Sequence, residues 1–331
     1  MAPILHNEAD AIRARLTKEG ITSLYHFTSV ENLQRICQVQ SLCSKKTLQE
    51  RGIWPPPEVG GEGPSHNLDL RNDNWDKVPL SLTPYTPMAY RRKRSRHLCF
   101  LLVSPEVAPW SGVVFTDSNA ARNEHRRGSG LTGLNYIKFD VIRSIPYGIN
   151  GWHQFVQAEV LVPNTIPFAY VPEIVFVSKA SAAYAEQLCS TLLHPRFSVH
   201  ERLFTDSYQA SEKTIGFPFV TELIVTDTNI DKNMLYFSHL HKNIYSKSDH
   251  KHVTMVASVR VFTGTKAKIV LSSTNELEPG RQVIDRVDFA VQTQRLHQKR
   301  ILLDDLPIGV YLLKYYLNEV CWASTSFEVH E

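Results

Sequence analysis

The chain has 331 residues, 43 % hydrophobic and 21 % charged, a balance that fits a folded globular protein and excludes long disorder. The formal net charge is only +3, and no run approaches the ~18 consecutive apolar residues of a membrane helix, so no membrane association is expected. Glu8, Asp10 and Arg13 interrupt the N-terminus before any apolar stretch forms, which argues against a signal peptide and for a soluble cytoplasmic protein. At roughly 100–200 residues per domain, two domains are expected.

In chain order, Ala9, Ile12 and Leu16 fall at helical spacing and predict an amphipathic helix over 6–19. Ile21–Phe27 reads as a strand, and Thr28-Ser29-Val30-Glu31 as capping-box chemistry opening a helix over Glu31–Gln38. Three prolines at 55–57 with Gly60, Gly61 and Gly63 predict a surface loop over 52–67. Strands are predicted at Val78–Leu82, His97–Ser104, Val113–Thr116, Val156–Val162 and Glu173–Ser178. Helices are predicted near Pro84–Tyr90 and over Ala180–Leu193, and residues 118–135 look loop-like. Beyond about residue 205 the composition changes. Phe219–Thr226, Thr254–Phe262, Ala267–Leu271, Gln282–Val291, Ile301–Leu303, Gly309–Leu317 and Cys321–Val329 are short β-rich runs. They are separated by turns such as Glu278-Pro279-Gly280, the pattern of an antiparallel sandwich.

Five scattered cysteines form no CxxC pair, which points to reduced thiols and away from a disulfide framework. His239-x-His241 and His250-x-His252 lack cysteine partners at zinc spacing, so no metal is expected. Charge is uneven. Between Arg91 and Arg143, ten Lys/Arg face four acids, a segment net of +6 that exceeds the net charge of the whole chain and predicts a polyanionic partner. No Gly-rich fingerprint follows a strand, and Gly60-Gly61-Glu62-Gly63 follows prolines, so a Rossmann dehydrogenase is disfavoured.

Four segments taken together carry a family likeness. They are Leu24-Tyr25-His26-Phe27-Thr28-Ser29-Val30-Glu31-Asn32-Leu33, the run Val78–Tyr90, Phe115-Thr116-Asp117-Ser118-Asn119-Ala120, and Gln157-Ala158-Glu159-Val160-Leu161-Val162 followed by Ile166-Pro167. In order and spacing they resemble DarT, a mono-ADP-ribosyltransferase toxin that uses NAD to modify a base in single-stranded nucleic acid. The resemblance stops near residue 200. It implies an α+β fold over 1–205, with a split, mostly antiparallel sheet, flanking helices and NAD as substrate. Residues 206–331 are then an all-β sandwich for protein binding. It also implies a cognate antitoxin and a bacterial toxin–antitoxin or phage-defence setting.

Breaking the nicotinamide–ribose bond develops positive charge on the ribose, and a neighbouring carboxylate stabilises it as it forms. Glu159, the one carboxylate in an apolar strand, is the candidate, against the plainer alternative of a half-exposed residue facing water. By the resemblance, Gln157 on the same strand face helps select the acceptor. The pyrophosphate of NAD calls for an Arg fork. The family's arginine best matches Arg71, with Arg51 as fallback. His26, Thr28, Asn32, Ser81 and Tyr90 complete the implied NAD site. Arg91, Arg92, Arg94 and Arg96, with Tyr85 for stacking, form the expected nucleic-acid surface. The family strand carries a Tyr where this chain has Ser81, which leaves the base, and DNA against RNA, open. The rival readings are a non-catalytic nucleic-acid-binding module with a degenerate transferase fold, and an enzyme that modifies protein.

Overall fold

The computed structural model describes residues 3–56, 63–93, 96–122, 124–144, 150–205, 217–230, 237–260, 265–274, 282–284, 289–291 and 295–331. The chain divides into two compact units. One comprises Met1–Lys93, Leu98–Phe176 and Leu188–Ile215, and the other Arg94–His97, Val177–Gln187 and Gly216–Glu331.

The first unit is built on an eight-stranded sheet. Its order is Arg196–Val199, Glu173–Phe176, Leu98–Val103, Leu24–Ser29, Lys77–Ser81, Glu159–Pro163, Val114–Thr116 and Arg127–Gly128. Every neighbouring pair is antiparallel except the first. The run Leu98–Val103 is apolar throughout and almost wholly buried, as a strand covered on both faces must be. Leu24–Ser29 pairs with it along its full length but meets Lys77–Ser81 only at Tyr25 opposite Ser81. The sheet is thus two four-stranded halves joined at one residue pair. The reason lies in Pro79. Its carbonyl accepts a hydrogen bond from His26 Nδ1 (3.1 Å), so this side of the residue faces the Leu24–Ser29 strand. Carbonyl and nitrogen point the same way in an extended strand, and proline has no N–H to continue the ladder there.

Helix Ala9–Lys18 buries Ala9, Ile12 and Leu16 as their spacing predicts. The capping box does not form: the Ser29 side chain accepts no backbone N–H of the turn, and its hydroxyl donates to the Glu31 carboxylate. A 3₁₀ turn, Val30–Asn32, leads into helix Leu33–Val39. Two segments predicted as loops are regular. Helix Gly63–Arg71 starts inside the Pro/Gly stretch, where Gly63-Pro64 is an acceptable helix opening. Residues 57–62, with Gly60 and Gly61, lie outside the described residues. Arg127–Gly128 and the short helix Gly130–Leu134 occupy the predicted loop 118–135. Cys37, Cys99 and Cys189 are buried free thiols, with Cys37 and Cys189 sulfurs 3.5 Å apart.

The second unit is β-rich. Phe219–Thr226, His252–Arg260 and Arg295–Leu302 form a three-stranded antiparallel sheet. A second sheet runs Ile244–Ser246, Val320–His330, Gly309–Leu317, Thr265–Ser273, Gln282–Ile284. The two sheets pack together, with His297 Nδ1 bonded to the Tyr315 hydroxyl and the Tyr245 hydroxyl donating to Val225 O (2.8 Å). The pairing is not wholly antiparallel, since Ile244–Ser246 runs parallel to Val320–His330. The predicted strand Gln282–Val291 is two strands, Gln282–Ile284 and Phe289–Val291, both on Thr265–Ser273. Residues 285–288 and the turn at Glu278 lie outside the described residues. Helix residues up to Gln187 group with this unit. Ser178 Oγ donates to Val220 O and Gln187 Nε2 to Ser324 O (2.9 Å), and His97 sits between Cys321 O (2.9 Å) and Ser181 Oγ (2.8 Å).

Candidate active site

The strand Glu159–Pro163 buries Val160, Leu161 and Val162 and opens on its one carboxylate. A row of opposed residues crosses the sheet there: Tyr25 with Ser81, Ser81 with Glu159, Glu159 with Thr116, and Thr116 with Arg127. Opposed residues share a face. Glu159 therefore stands one strand from the junction of the two half-sheets, where the ladder fails.

The carboxylate is held. Its Oε2 accepts the backbone N–H of Ala120 (2.9 Å). The Glu159 N–H donates to Thr116 Oγ1 (3.2 Å), and that hydroxyl donates to Ser118 O (2.7 Å). Asp117 Oδ1 accepts from Arg126 N (3.0 Å) and Ser118 Oγ (3.1 Å), fixing the loop that carries Ala120. From the other side, Asn72 and Asn74 donate their side-chain amides to Ala120 O (2.9 and 3.2 Å), and Arg127 Nη1 donates to Asn72 O. Burial pushes the Glu159 carboxyl up to about 7. The Ala120 N–H opposes that rise and the charge of Asp69 adds to it. A carboxyl poised there is ionised for charge stabilisation in a fraction that changes around neutrality, and it accepts a proton readily.

His26 donates from Nδ1 to Pro79 O, which leaves Nε2 as the acceptor of the ring, and burial holds its pKa below the ordinary value, so the ring is neutral at pH 7. Two residues on, Thr28 Oγ1 accepts from the buried Asn32 amide (3.1 Å). Ser81 lies between Tyr25 and Glu159 in the row, and Tyr90 is half-buried on helix Pro87–Lys93. Arg71 is the last residue of helix Gly63–Arg71, exposed, and adjoins Asn72. Arg51 caps a different helix, Lys45–Glu50.

Other expected residues are placed differently. Gln157 is not on the strand, which begins at Glu159. It sits in a turn after helix Trp152–Phe155 and its amide donates to His153 O (2.6 Å), so it does not share a strand face with Glu159. Tyr85 is buried and its hydroxyl donates to Arg202 O (3.3 Å), so its ring has no face for a base. Within the basic run, Arg91 and Arg96 are exposed, Arg92 is half-buried, and Arg94 lies outside the described residues. Lys93 is turned inward at 2 % exposure. It donates to Leu203 O (3.3 Å) and Thr205 O (3.2 Å) and lies over the rings of Phe100 and Phe204, the place of a structural cation. Among the described residues no group of three or more His, Cys, Asp or Glu could hold a metal ion, and no described helix is long and apolar enough to cross a membrane.

The sequence assigns no role to Asn72, Asn74 or Arg127, and it shows Thr116 and Ala120 only as members of the Phe115–Ala120 segment. Ala120 acts through its backbone and gives no side-chain signal. Asn72 and Asn74 follow Arg71 directly, and two amides spaced around one residue after a helix were the visible clue.

Residues 25–205 match the family described as ssDNA thymidine ADP-ribosyltransferase, DarT. Similar solved structures include Thermus sp. 2.9 DarT in complex with ADP-ribosylated ssDNA, at 20 % identity and TM-score 0.46, covering 56 % of this chain and 97 % of that one. The same protein in complex with NAD+ matches at 19 % identity and TM-score 0.44, covering 56 % and 98 %. Thermosipho africanus DarTG in complex with ADP-ribose matches at 18 % identity and TM-score 0.45, and there the alignment spans 55 % of this chain and 51 % of that one. No curated protein sequence matches the chain. The family match takes in more than half of the 331 residues and every member of the row from Tyr25 to Glu159, and the chain belongs to the DarT family of single-stranded DNA thymidine ADP-ribosyltransferases.

Proposed function

We propose that the chain takes ADP-ribose from NAD and attaches it to a thymine base of single-stranded DNA, with Glu159 as the catalytic carboxylate. The observation that supports this best is a desolvated carboxylate, fixed by the Ala120 N–H, one strand from the junction where the two half-sheets part. In the reaction the bond between nicotinamide and ribose C1′ breaks, and nicotinamide leaves with the bonding electrons. Ionised Glu159 stabilises the positive charge left on the ribose. A thymine ring nitrogen attacks C1′ and its proton passes to the Glu159 carboxylate, which returns it to water.

His26, Thr28, Asn32, Ser81 and Tyr90 are proposed to line the NAD site, with Arg71 on the pyrophosphate. Arg91 and Arg92 are proposed to contact DNA phosphates. Replacing both with Ser is expected to weaken binding of a single-stranded oligonucleotide and to lower its dependence on salt by roughly one to two released counterions. NAD affinity should be unchanged, and an unchanged salt slope would return the pair to a solubilising role. Lys93, being buried, is left in place.

The second unit is proposed to serve as an interaction module. Tyr311 and Tyr315 are core residues, while Tyr316 faces outward under Lys268 Nζ (5.4 Å). Gly309–Leu317 is a central strand, flanked by Val320–His330 and Thr265–Ser273, so Tyr316 is not on an edge strand. A toxin acting in the cytoplasm, held in check by a cognate antitoxin in a toxin–antitoxin or phage-defence system, fits a reaction that blocks copying of DNA.

The proposal is tested by incubating the protein with labelled NAD and separate pools of single-stranded DNA, RNA and protein. Label on DNA alone is expected. Label confined to RNA, or to protein, would replace the proposed acceptor, and no label in any pool would favour a non-catalytic binding module.

A further inference from the structure

Helix Gly63–Arg71 ends in a left-handed residue. Asp73 has φ +56°, its N–H donates to Leu70 O (3.3 Å), and Asn74 N–H donates to Asp69 O (2.8 Å). This is the reversed turn that commonly closes a helix, with Asp tolerated where glycine is usual. Its effect is local. Residues on either side of Asp73 turn to one side, so the amides of Asn72 and Asn74 both reach Ala120 O, at 2.9 and 3.2 Å. Two donors on one carbonyl fix the orientation of residue 120, and the N–H of that residue holds Glu159 Oε2 at 2.9 Å. Asn74 is buried, Ala120 is buried, and neither asparagine bonds Glu159 itself.

We propose that Asn72 and Asn74 are positioning residues for the transfer: by clamping the carbonyl of Ala120 they aim its N–H at Glu159 and hold the carboxylate in one rotamer toward the reacting ribose. The clamp rests on the assignment of Glu159 as the catalytic carboxylate. Misplacement of a catalytic group by about 1 Å can cost on the order of 10²-fold in rate. The Ala120 N–H also favours the ionised carboxylate, so a loosened loop removes part of that support. The charged groups placed near it are Asp69 on the preceding helix, paired with Lys45, Asp117 on the Ala120 loop, and Arg127 on Asn72 O. None of these is altered by changing the two asparagines.

The test uses the full chain with Asn72→Ala, Asn74→Ala, the double variant and Glu159→Gln. Transfer from NAD to a thymine-containing oligonucleotide is followed across pH. Each amide leaves the other on the carbonyl, so each single variant should lose roughly threefold in kcat, and the double variant about 30-fold, more than the product of the singles. KM for NAD should change less than about threefold, and the acid limb of kcat/KM should move to higher pH, which a merely structural role would not produce. Asn72→Leu keeps the volume, removes the donor, adds no charge and leaves the buried Asn74 site untouched, so it gives a limb shift in the same direction if the double variant fails to fold. A folded double variant, or Asn72→Leu, with wild-type kcat and an unmoved acid limb overturns the clamp. If Glu159→Gln is inactive in that same series, the Glu159 assignment survives and only the clamp is lost. Near-wild-type turnover in Glu159→Gln overturns the assignment, and the clamp with it.

Discussion

Replacing Glu159 with Gln is expected to lower transfer on the order of 10³-fold, about 4 kcal/mol of transition-state stabilisation, while NAD affinity stays within a few-fold of wild type. Gln keeps the shape and can still accept the Ala120 N–H, but it brings no charge to the ribose and cannot take the proton of the base. The wild-type rate should rise with pH through about 7 in kcat/KM, because burial places the carboxyl there and the ionised form is the working one. The same burial has a second consequence, for stability. Below the ordinary carboxyl value of 4.5 the folded and unfolded chains both hold the proton, and the charge costs nothing. Between 4.5 and about 7 the unfolded chain ionises while the folded one stays protonated, so wild-type stability falls as pH rises, and above about 7 the loss is complete. Glu159→Gln should therefore melt at a higher temperature than wild type at pH 8 and at the same temperature near pH 4. A variant that is both inactive and less stable at pH 8 would point to a structural carboxylate.

Arg71→Ala is expected to weaken NAD binding about 10- to 100-fold and to lower kcat/KM at least as much. A charge-assisted hydrogen bond to a phosphate contributes roughly 1.5–3 kcal/mol, and a guanidinium makes two. Arg71 is exposed at the end of its helix, beside the Asn72 that reaches the Ala120 loop, so little of the fold depends on its side chain. Arg51→Ala, on the Lys45–Glu50 helix, should change NAD affinity less than threefold. Calorimetry with NAD separates the two. The reverse order would move the pyrophosphate contact to Arg51.

What the sequence made legible follows from where each signal sits. Glu159 stood out because a lone carboxylate in an apolar strand is costly to bury, and the structure pairs it with Ser81 and Thr116. Gln157 was drawn onto the same face because Val156 and Ala158 alternate with it like strand residues, yet those positions belong to a turn. By composition 91–96 reads as one basic nucleic-acid surface. Nothing in it distinguishes Lys93, whose ammonium closes the carbonyls of Leu203 and Thr205, from its exposed neighbour Arg91. Helix Gly63–Arg71 was hidden by the Pro/Gly cluster ahead of it. The split of the sheet had one visible cause, Pro79, but only the three-dimensional pairing shows that its donor-free side faces Leu24–Ser29. The support of Glu159 is a backbone N–H aimed by two side chains some 50 residues away, roughly the separation of Asn72 from Ala120, and no local pattern encodes that.

The most direct measurement is mass spectrometry of a single-stranded oligonucleotide with one thymine after incubation with NAD and the protein, fragmented to locate the adduct. One ADP-ribosyl group on that thymine is expected, with none when the thymine is replaced by cytosine and none with Glu159→Gln. An adduct on another base or at an end of the strand, or an equal yield with Glu159→Gln, would contradict transfer to thymine by the Glu159 carboxylate.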